Sequence, residues 1–239
     1  MENNIIQELR NVIEHQWAPI KQGLFYKLIR EIKIDKELYH DLMIEIYHYT
    51  KHNSANQAMA CMNIPTHASA IQKFIYRHAL EEYGHEKMVL RDLESINILD
   101  QTKLTQPPLP ATDALIGYLY AVPQRYGAVA RLGYSQWAEN AYGHINEVTS
   151  KIRQDLSLED KNMSFFVNHS VIDQKHSAEV AEAINTYCTS SEDKVLIKRV
   201  AQTTLYLTGK MLDGIAENYL QNRIRRFTHM IGSSSSDGT

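Results

Sequence analysis

The sequence predicts an all-α protein, and three observations favour this class. Its 239 residues include only 10 Gly and 6 Pro, so long stretches contain no residue that interrupts a helix. Apolar residues recur with the 3.6-residue period of amphipathic helices. No segment alternates as a strand does, and no internal repeat is present. We therefore expect one helical domain over residues 1–228, followed by a disordered tail at 229–239 with a linker-like composition.

The apolar stripes and their flanking residues predict the individual helices. Asp35 and Ser190 are predicted N-caps, because each precedes a periodic segment. Pro19 is expected to interrupt the first helix, Pro123 to end or kink a later one, and Pro65 to mark a new start. The proline-rich segment 106–110 is read as a loop within one domain. The predicted helices cover residues 3–16, 25–32, 36–49, 67–95, 112–126, 128–154, 158–188 and 191 to about 225.

Composition excludes several classes of protein. The formal net charge is -3 and the pI about 6.4, so no basic face for nucleic acid is expected. No apolar run approaches the roughly 20 residues of a membrane helix, and the N-terminus lacks the pattern of a signal peptide. Cys61 and Cys188 are the two cysteines and belong to no motif, which fits a reducing compartment. The sequence therefore predicts a cytoplasmic protein that acts on a small molecule.

The most specific motif is His169-x3-Asp173-x2-His176. Residues at offsets of zero, four and seven share one face of a helix, so the three side chains are expected to point to one place. Two imidazoles and a carboxylate are the ligand set of iron enzymes that keep coordination positions open. The alternative is a hydrogen-bonded or solvated cluster without metal.

A second motif, Glu82-x2-His85, has the Glu-x-x-His spacing of carboxylate-bridged di-iron bundles. On its own the motif is weak, since acidic residues on a helix usually face solvent. Gly84 lies between the two residues and favours the metal reading, because a glycine inside a helix costs about 1 kcal/mol and needs a compensating role. His78, one turn earlier, is an alternative ligand or a packed histidine.

Two further carboxylates lie among apolar residues. Glu139 follows Trp137, and a buried carboxylate there needs a partner, which a metal or Arg131 would supply. Glu45 lies in a similar apolar segment, where it either faces solvent or points inward as a ligand. His48 is close enough along the helix to replace it.

Combined, these motifs resemble those of the haem-oxygenase-like di-iron oxidases and oxygenases, the CADD-like family. The predicted ligands, in the order that this family shows, are Glu45, Glu82, His85, Glu139, His169, Asp173 and His176. The resemblance spans residues 45–176. It implies a haem-oxygenase-like seven-helix bundle, two Fe2+ ions and O2 as co-substrate. We assign Glu45, Glu82 and His85 to one iron and the His/Asp/His motif to the other, with Glu139 bridging.

Within the family the chain is similar to a cyanobacterial branch of nitrile-forming enzymes. That similarity implies oxidation of a 2-amino acid, such as a brominated tryptophan, to a nitrile. A basic residue would pair with the substrate carboxylate, and Lys51, Arg77, Arg125 and Arg131 are unranked candidates. A homodimer is the assembly considered, although no feature of the sequence fixes the oligomeric state. Manganese in place of iron also stays open.

Other activities of the same fold remain open. A di-iron fatty-acid oxidase or amino-acid N-oxygenase would use the same ligands on another substrate. A metal-free, thiaminase-type enzyme would need Cys61 or Cys188 as nucleophile. A haem oxygenase would need a proximal histidine near the N-terminus, for which His15 is the candidate. A helical protein that only binds a partner would need no metal.

Overall fold

The computed structural model describes residues 5–62 and 69–234, with the backbone alone for residues 69, 169–174 and 229–234. These ranges contain α-helices and one short 3-10 turn, without a strand, which confirms the all-α prediction. The helices are α1 (Ile5–Ile20), α2 (Leu24–Glu31), α3 (Lys36–Thr50), α4 (Asn53–Met59), α5 (Ser69–Glu81), α6 (Glu86–Ser95), α7 (Gln101–Thr105), α8 (Pro110–Tyr126), α9 (Ala128–Ala138), α10 (Tyr142–Leu156), α11 (Ser164–Tyr187) and α12 (Ser191–Ser234). The 3-10 turn is Asp160–Asn162.

Helix α12 makes the most extensive contacts with other helices among the described residues and organises the core. It contacts α1, α2, α3, α8 and α9, and its Val200, Leu205 and Ile215 are completely buried. A glycine permits its close approach to α9. A Cβ at Gly133 would lie 2.1 Å from the carbonyl oxygen of Ile197, far inside any van der Waals contact.

The predicted helix caps are confirmed. The Asp35 side chain accepts a hydrogen bond from the backbone N–H of Leu38 at 2.9 Å. The Ser190 hydroxyl accepts one from the backbone N–H of Asp193, also at 2.9 Å, while the Asp193 carboxylate accepts one from the backbone N–H of Ser190. Pro19, expected to interrupt the first helix, instead lies in the last turn of α1, where the missing N–H removes only one terminal hydrogen bond.

Two helices predicted as continuous are broken. The segment 67–95 divides into α5 and α6 because Gly84 has a φ of +91°, which an α-helix does not accommodate. The segment 128–154 divides into α9 and α10, with residues 139–141 between them. Both breaks contain predicted metal ligands. The described ranges hold twelve α-helices instead of the seven expected from the resemblance, and each break adds one of them.

Other boundaries differ more modestly from the predictions. Helix α11 begins at Ser164, after the 3-10 turn, and α12 continues to Ser234, past the expected end near Arg225. The first residues of the expected disordered tail, 229–234, therefore belong to α12, while 235–239 lie outside the described residues. Pro65, predicted to begin a helix, also lies outside them. In the described part of the chain, no helix combines the length and apolarity that a membrane span requires.

Candidate metal centre

Four side chains of metal-ligating type meet in the interior. They are His78 on α5, Glu82 just after α5, Glu139 just after α9 and His176 on α11. One donor atom from each lies within 4.8 Å of those of the other three. The exposed fractions of His78, His176 and Glu82 are 2%, 3% and 6%. The breaks that follow α5 and α9 thus bring two carboxylates to the imidazoles of α5 and α11.

The Glu139 carboxylate lies between the two imidazoles. Its Oε1 is 3.1 Å from Nε2 of His78, and its Oε2 is 3.5 Å from Nδ1 of His176. The same nitrogen of His176 is 3.7 Å from Oε1 of Glu82. The rings of His78 and His176 are nearly perpendicular, with centroids 4.8 Å apart. The four donors therefore surround a shared space instead of pairing off.

This geometry fits a bound metal ion. Nε2 of His78 and Nδ1 of His176 are buried and have no hydrogen-bond partner of proper geometry, although carboxylate oxygens are near. Burying two carboxylates beside two such nitrogens is costly unless a cation joins them. Imidazole nitrogen and carboxylate oxygen are the donors that non-haem iron takes in proteins. The residues present therefore suit iron.

Electrostatic coupling within the cluster already favours anionic carboxylates. Burial of Glu139 raises its pKa, but the neighbouring His176 and His78 imidazoles outweigh burial and hold that pKa at about 2. The Glu139 carboxylate beside His176 in turn raises the pKa of that imidazole. A metal ion bound at the cluster would compete with protons for these ligand atoms.

Neighbouring residues orient the two histidines. The buried Gln57 side-chain amide hydrogen-bonds Nδ1 of His78, and the ring of Phe74 stacks on the same imidazole at 5.8 Å. Nε2 of His176 lies 3.2 Å from the Glu81 carboxylate. Such contacts fix the ring orientation of metal-binding histidines, and a carboxylate partner such as Glu81 also raises the basicity of the ring.

The structure brings together three of the seven predicted ligands, Glu82, Glu139 and His176. His85 lies beside them, with its Nδ1 3.3 Å from Oε2 of Glu82. Burial lowers the pKa of His85, but the hydrogen bond and charge of Glu82 raise it to a greater extent. Residues 169–176 all lie within α11, as the motif requires. The structure describes only the backbone of His169 and Asp173.

Glu45 is not one of the four clustered residues, and the packing of α3 explains its position. Its carboxylate accepts hydrogen bonds from the hydroxyl of Thr112 and from the backbone N–H of Leu109, the latter at 3.1 Å. It lines a separate polar cavity with His48. His78, the alternative left open by the sequence, is the fourth member of the cluster. The periodicity of an apolar helix does not distinguish a packed histidine from a ligand, so only the tertiary structure identifies it.

An apolar cavity of about 160 Å³ adjoins the cluster. Glu82 and Glu139 line it, and the remaining wall is mostly aromatic and aliphatic. An apolar cavity of about 150 Å³ is large enough to bind benzene, so a ring-sized group fits. The aromatic members of the wall are Trp17, Tyr26, Tyr49, Tyr134, Trp137, Tyr142, Phe165 and Phe166.

None of the described residues that line this cavity is a lysine or an arginine. Arg77 pairs with Glu179 at 2.8 Å, and Lys51 contacts His48. Arg125 lies over the ring of Tyr126, while Arg131 is buried behind the cluster. The expected basic partner for a substrate carboxylate is therefore absent from the described wall.

Residues 40–208 match the model of a family described as iron-containing redox enzymes with a haem-oxygenase-type fold. The match covers well over half of the chain. The chain belongs to this family. The family is described as iron-containing, and the buried His/Glu cluster is the part of the described structure that suits iron.

Solved structures support the fold of the chain. A domain of unknown function with a heme oxygenase-like fold from Shewanella denitrificans OS217 is 37% identical, with a TM-score of 0.85 over 91% of this chain and 94% of that one. Two more distant structures share the fold. A TenA homologue from Pseudomonas syringae pv. tomato is 15% identical, with a TM-score of 0.74 over 90% and 93%. A CADD-like protein of unknown function from Nostoc punctiforme is 12% identical, with a TM-score of 0.67 over 89% and 98%. No curated protein matches significantly.

The residues that a thiaminase-type enzyme or a haem oxygenase would need are poorly placed. Cys61 and Cys188 are buried, and burial raises the pKa of both thiols, which disfavours the nucleophilic thiolate. His15 lies on the exposed face of α1 and lines neither of the two cavities described above. These positions leave the His/Glu cluster as the candidate functional site of the described structure.

Proposed function

We propose that the chain is an O2-dependent, non-haem di-iron oxidase of an amino acid with a large apolar side chain. One observation carries the proposal: the buried His/Glu cluster lies at one end of a cavity whose remaining wall is apolar. A ligand that fills this cavity would place its polar head at the metal and its apolar body among aromatic side chains. This is the arrangement that an oxidase acting on one end of an amphipathic substrate requires.

In this proposal His78, Glu82, Glu139 and His176 hold metal, and Glu139 is the best-placed bridge because each oxygen faces a different histidine. His85, His169 and Asp173 would complete a two-iron centre. When bound, ferrous iron would supply the electrons that reduce O2. The protein itself keeps the Glu139 carboxylate ionised, orients the imidazoles and excludes water with the aromatic wall.

The cavity also bears on the substrate. A carboxylate bound within the described wall would find no cation there, so the amine and carboxylate of an amino acid would both lie toward the metal cluster. The ring-sized apolar space suits an aromatic or large aliphatic side chain. Oxidation at the amine with loss of the carboxyl carbon would give a nitrile, and brominated tryptophan is the substrate that the sequence resemblance suggests.

The test begins with the anaerobic protein and Fe(II), with bound iron measured after gel filtration. Reaction with O2 in the presence of a panel of amino acids and fatty acids would then be followed by mass spectrometry. We expect iron binding, O2 consumption and an oxidised product from an apolar amino acid. Iron-loaded protein that consumes no O2 with any member of the panel would contradict the proposal.

A matched pair of variants links the activity to the cluster. Glu139→Gln removes the central carboxylate charge, and we expect it to weaken Fe(II) binding by about 100-fold or more and to abolish turnover. Glu147→Gln makes the same change in a surface ion pair with Arg30, where exposed pairs contribute little. Equal iron binding by the two variants would rule out the cluster as the metal centre.

A further inference from the structure

Arg131 is a buried cation without a carboxylate in direct contact. It lies on α9 with an exposed fraction of 3%. Within the described residues its guanidinium donates to neutral oxygens alone, those of Ser135 at 3.0 Å, Asn56 at 3.0 Å and Asn53 at 3.1 Å. Burial lowers the pKa of Arg131 to about 10, so it still carries its charge at neutral pH. A buried charge of this kind is costly and needs compensation nearby.

The compensating charge is the Glu82 carboxylate, which Asn53 connects to Arg131. The Asn53 Oδ1 accepts from Arg131, and its Nδ2 donates to Oε2 of Glu82 at 2.9 Å. Because a guanidinium only donates hydrogen bonds, it fixes which end of the Asn53 amide faces Arg131, and the NH2 must then face Glu82. The other oxygen of that carboxylate, Oε1, points to Nδ1 of His176 at 3.7 Å.

We propose that Arg131 and Asn53 form a positioning relay that holds one oxygen of Glu82 and thereby directs the other toward the metal. The inference rests on the proposed function of the cluster as a metal centre. Arg131 orients the Asn53 amide, and Asn53 in turn orients the carboxylate. The relay joins α9, α4 and the turn after α5, so the position of the ligand depends on the packing of these three elements.

Co(II) binding tests the relay without catalysis, because Co(II) takes similar ligands and its visible absorption reports coordination geometry. We expect Asn53→Ala to weaken Co(II) affinity by about 10- to 100-fold, the usual effect of losing an outer hydrogen bond to a ligand. The visible spectrum is expected to change as well. Ser54→Ala is the matched control, since Ser54 lies on the same helix and bonds the backbone of Ala79 on α5 instead of a ligand. It should bind Co(II) as the unmodified protein does.

Arg131→Lys keeps the positive charge but loses the planar fork, so it tests orientation separately from charge. We expect a several-fold loss of Co(II) affinity in this variant. In the double variant with Asn53→Ala the loss should equal that of Asn53→Ala alone, because the arginine acts through the asparagine. Circular dichroism would confirm the helical content of each variant, and Asn53→Ala, at a half-buried position, decides the matter if Arg131→Lys fails to fold.

The outcomes separate the two proposals. If the unmodified protein binds no Co(II) or Fe(II), the metal centre itself is wrong. If it binds normally and folded Asn53→Ala has the same affinity and spectrum, the relay is refuted while the metal centre stands. Fully additive losses in the double variant would show that Arg131 does not act through Asn53.

Discussion

At the scale of single residues, Glu45 and Glu139 show that an apolar sequence context does not reveal what a buried carboxylate binds. Both lie among apolar neighbours, and the sequence predicts both as ligands. Glu139 meets two imidazoles, whereas Glu45 meets a hydroxyl and a backbone N–H. These partners come from distant parts of the chain, so local pattern carries no information about them.

The different surroundings of Glu45 predict a pH-dependent stability. Burial raises the pKa of Glu45, although the Thr112 and Leu109 hydrogen bonds oppose this. A carboxyl group with a raised folded-state pKa contributes stability that is present below its unfolded pKa and is lost as the pH rises through the folded pKa. We therefore expect Glu45→Gln to be more stable than the unmodified protein at about pH 7.5, and this advantage to shrink near pH 4. Urea denaturation at both pH values measures the difference.

Glu8→Gln is the contrasting variant, because the hydrogen bond from Lys198 lowers the pKa of Glu8. The stabilising contribution of Glu8 is present above its unfolded pKa and is lost as the pH falls, so the trend should have the opposite sign.

Co(II) affinity should be unchanged by Glu45→Gln. A stability difference independent of pH, or a large loss of Co(II) affinity, would show that this account of Glu45 is wrong.

At the scale of helices, the sequence predicts which segments form helices better than it predicts where a helix is interrupted. Periodic apolar stripes and the caps at Asp35 and Ser190 identify most of the helices. The breaks at residues 82–85 and 139–141 escape this reasoning, because the apolar period continues across both. Gly84 is the one local signal of the first break. For the second, Glu139 follows a helix of almost entirely buried residues, and tertiary packing decides where that helix ends.

Gly84 makes the first break testable. Its φ of +91° is unfavourable for any residue with a Cβ, while the surrounding space is open. We expect Gly84→Ala to destabilise the protein by about 1–2 kcal/mol through backbone strain and to weaken Co(II) binding by shifting Glu82 and His85. Thermal unfolding and Co(II) titration measure the two effects.

Gly143→Ala is the control for this change, since Gly143 lies within α10, has ordinary helical φ and has no atom near the new methyl group. Alanine there should be neutral or stabilising by up to about 1 kcal/mol. If the two variants behave alike, the positive φ of Gly84 is not what divides α5 from α6.

At the scale of the whole molecule, the cavity is the feature that the sequence predicts least. Its wall combines residues from α1, α2, α3, α4, α8, α9, α10, α11 and α12 and from the turn after α5, so no single motif contains it. The fold class and three of the four clustered residues follow from residue pattern and spacing. The cavity follows from how α12 brings the other helices together, and it is the cavity that relates the metal cluster to a class of substrate.

Val148 tests whether this cavity selects the substrate. It lies on α10 with an exposed fraction of 6% and lines the apolar wall. Val148→Phe would fill part of the space, so KM for an amino acid with a large side chain should rise about tenfold, while smaller ones are affected less. Val148→Ala should shift the preference toward larger side chains.

Neither Val148 variant should alter Co(II) affinity, because Val148 is not among the clustered residues. Val195→Phe, the same substitution on the exposed face of α12, is the control. If Val148→Phe, Val148→Ala and Val195→Phe share one substrate profile, the substrate binds elsewhere and the proposed connection between cavity and metal centre fails.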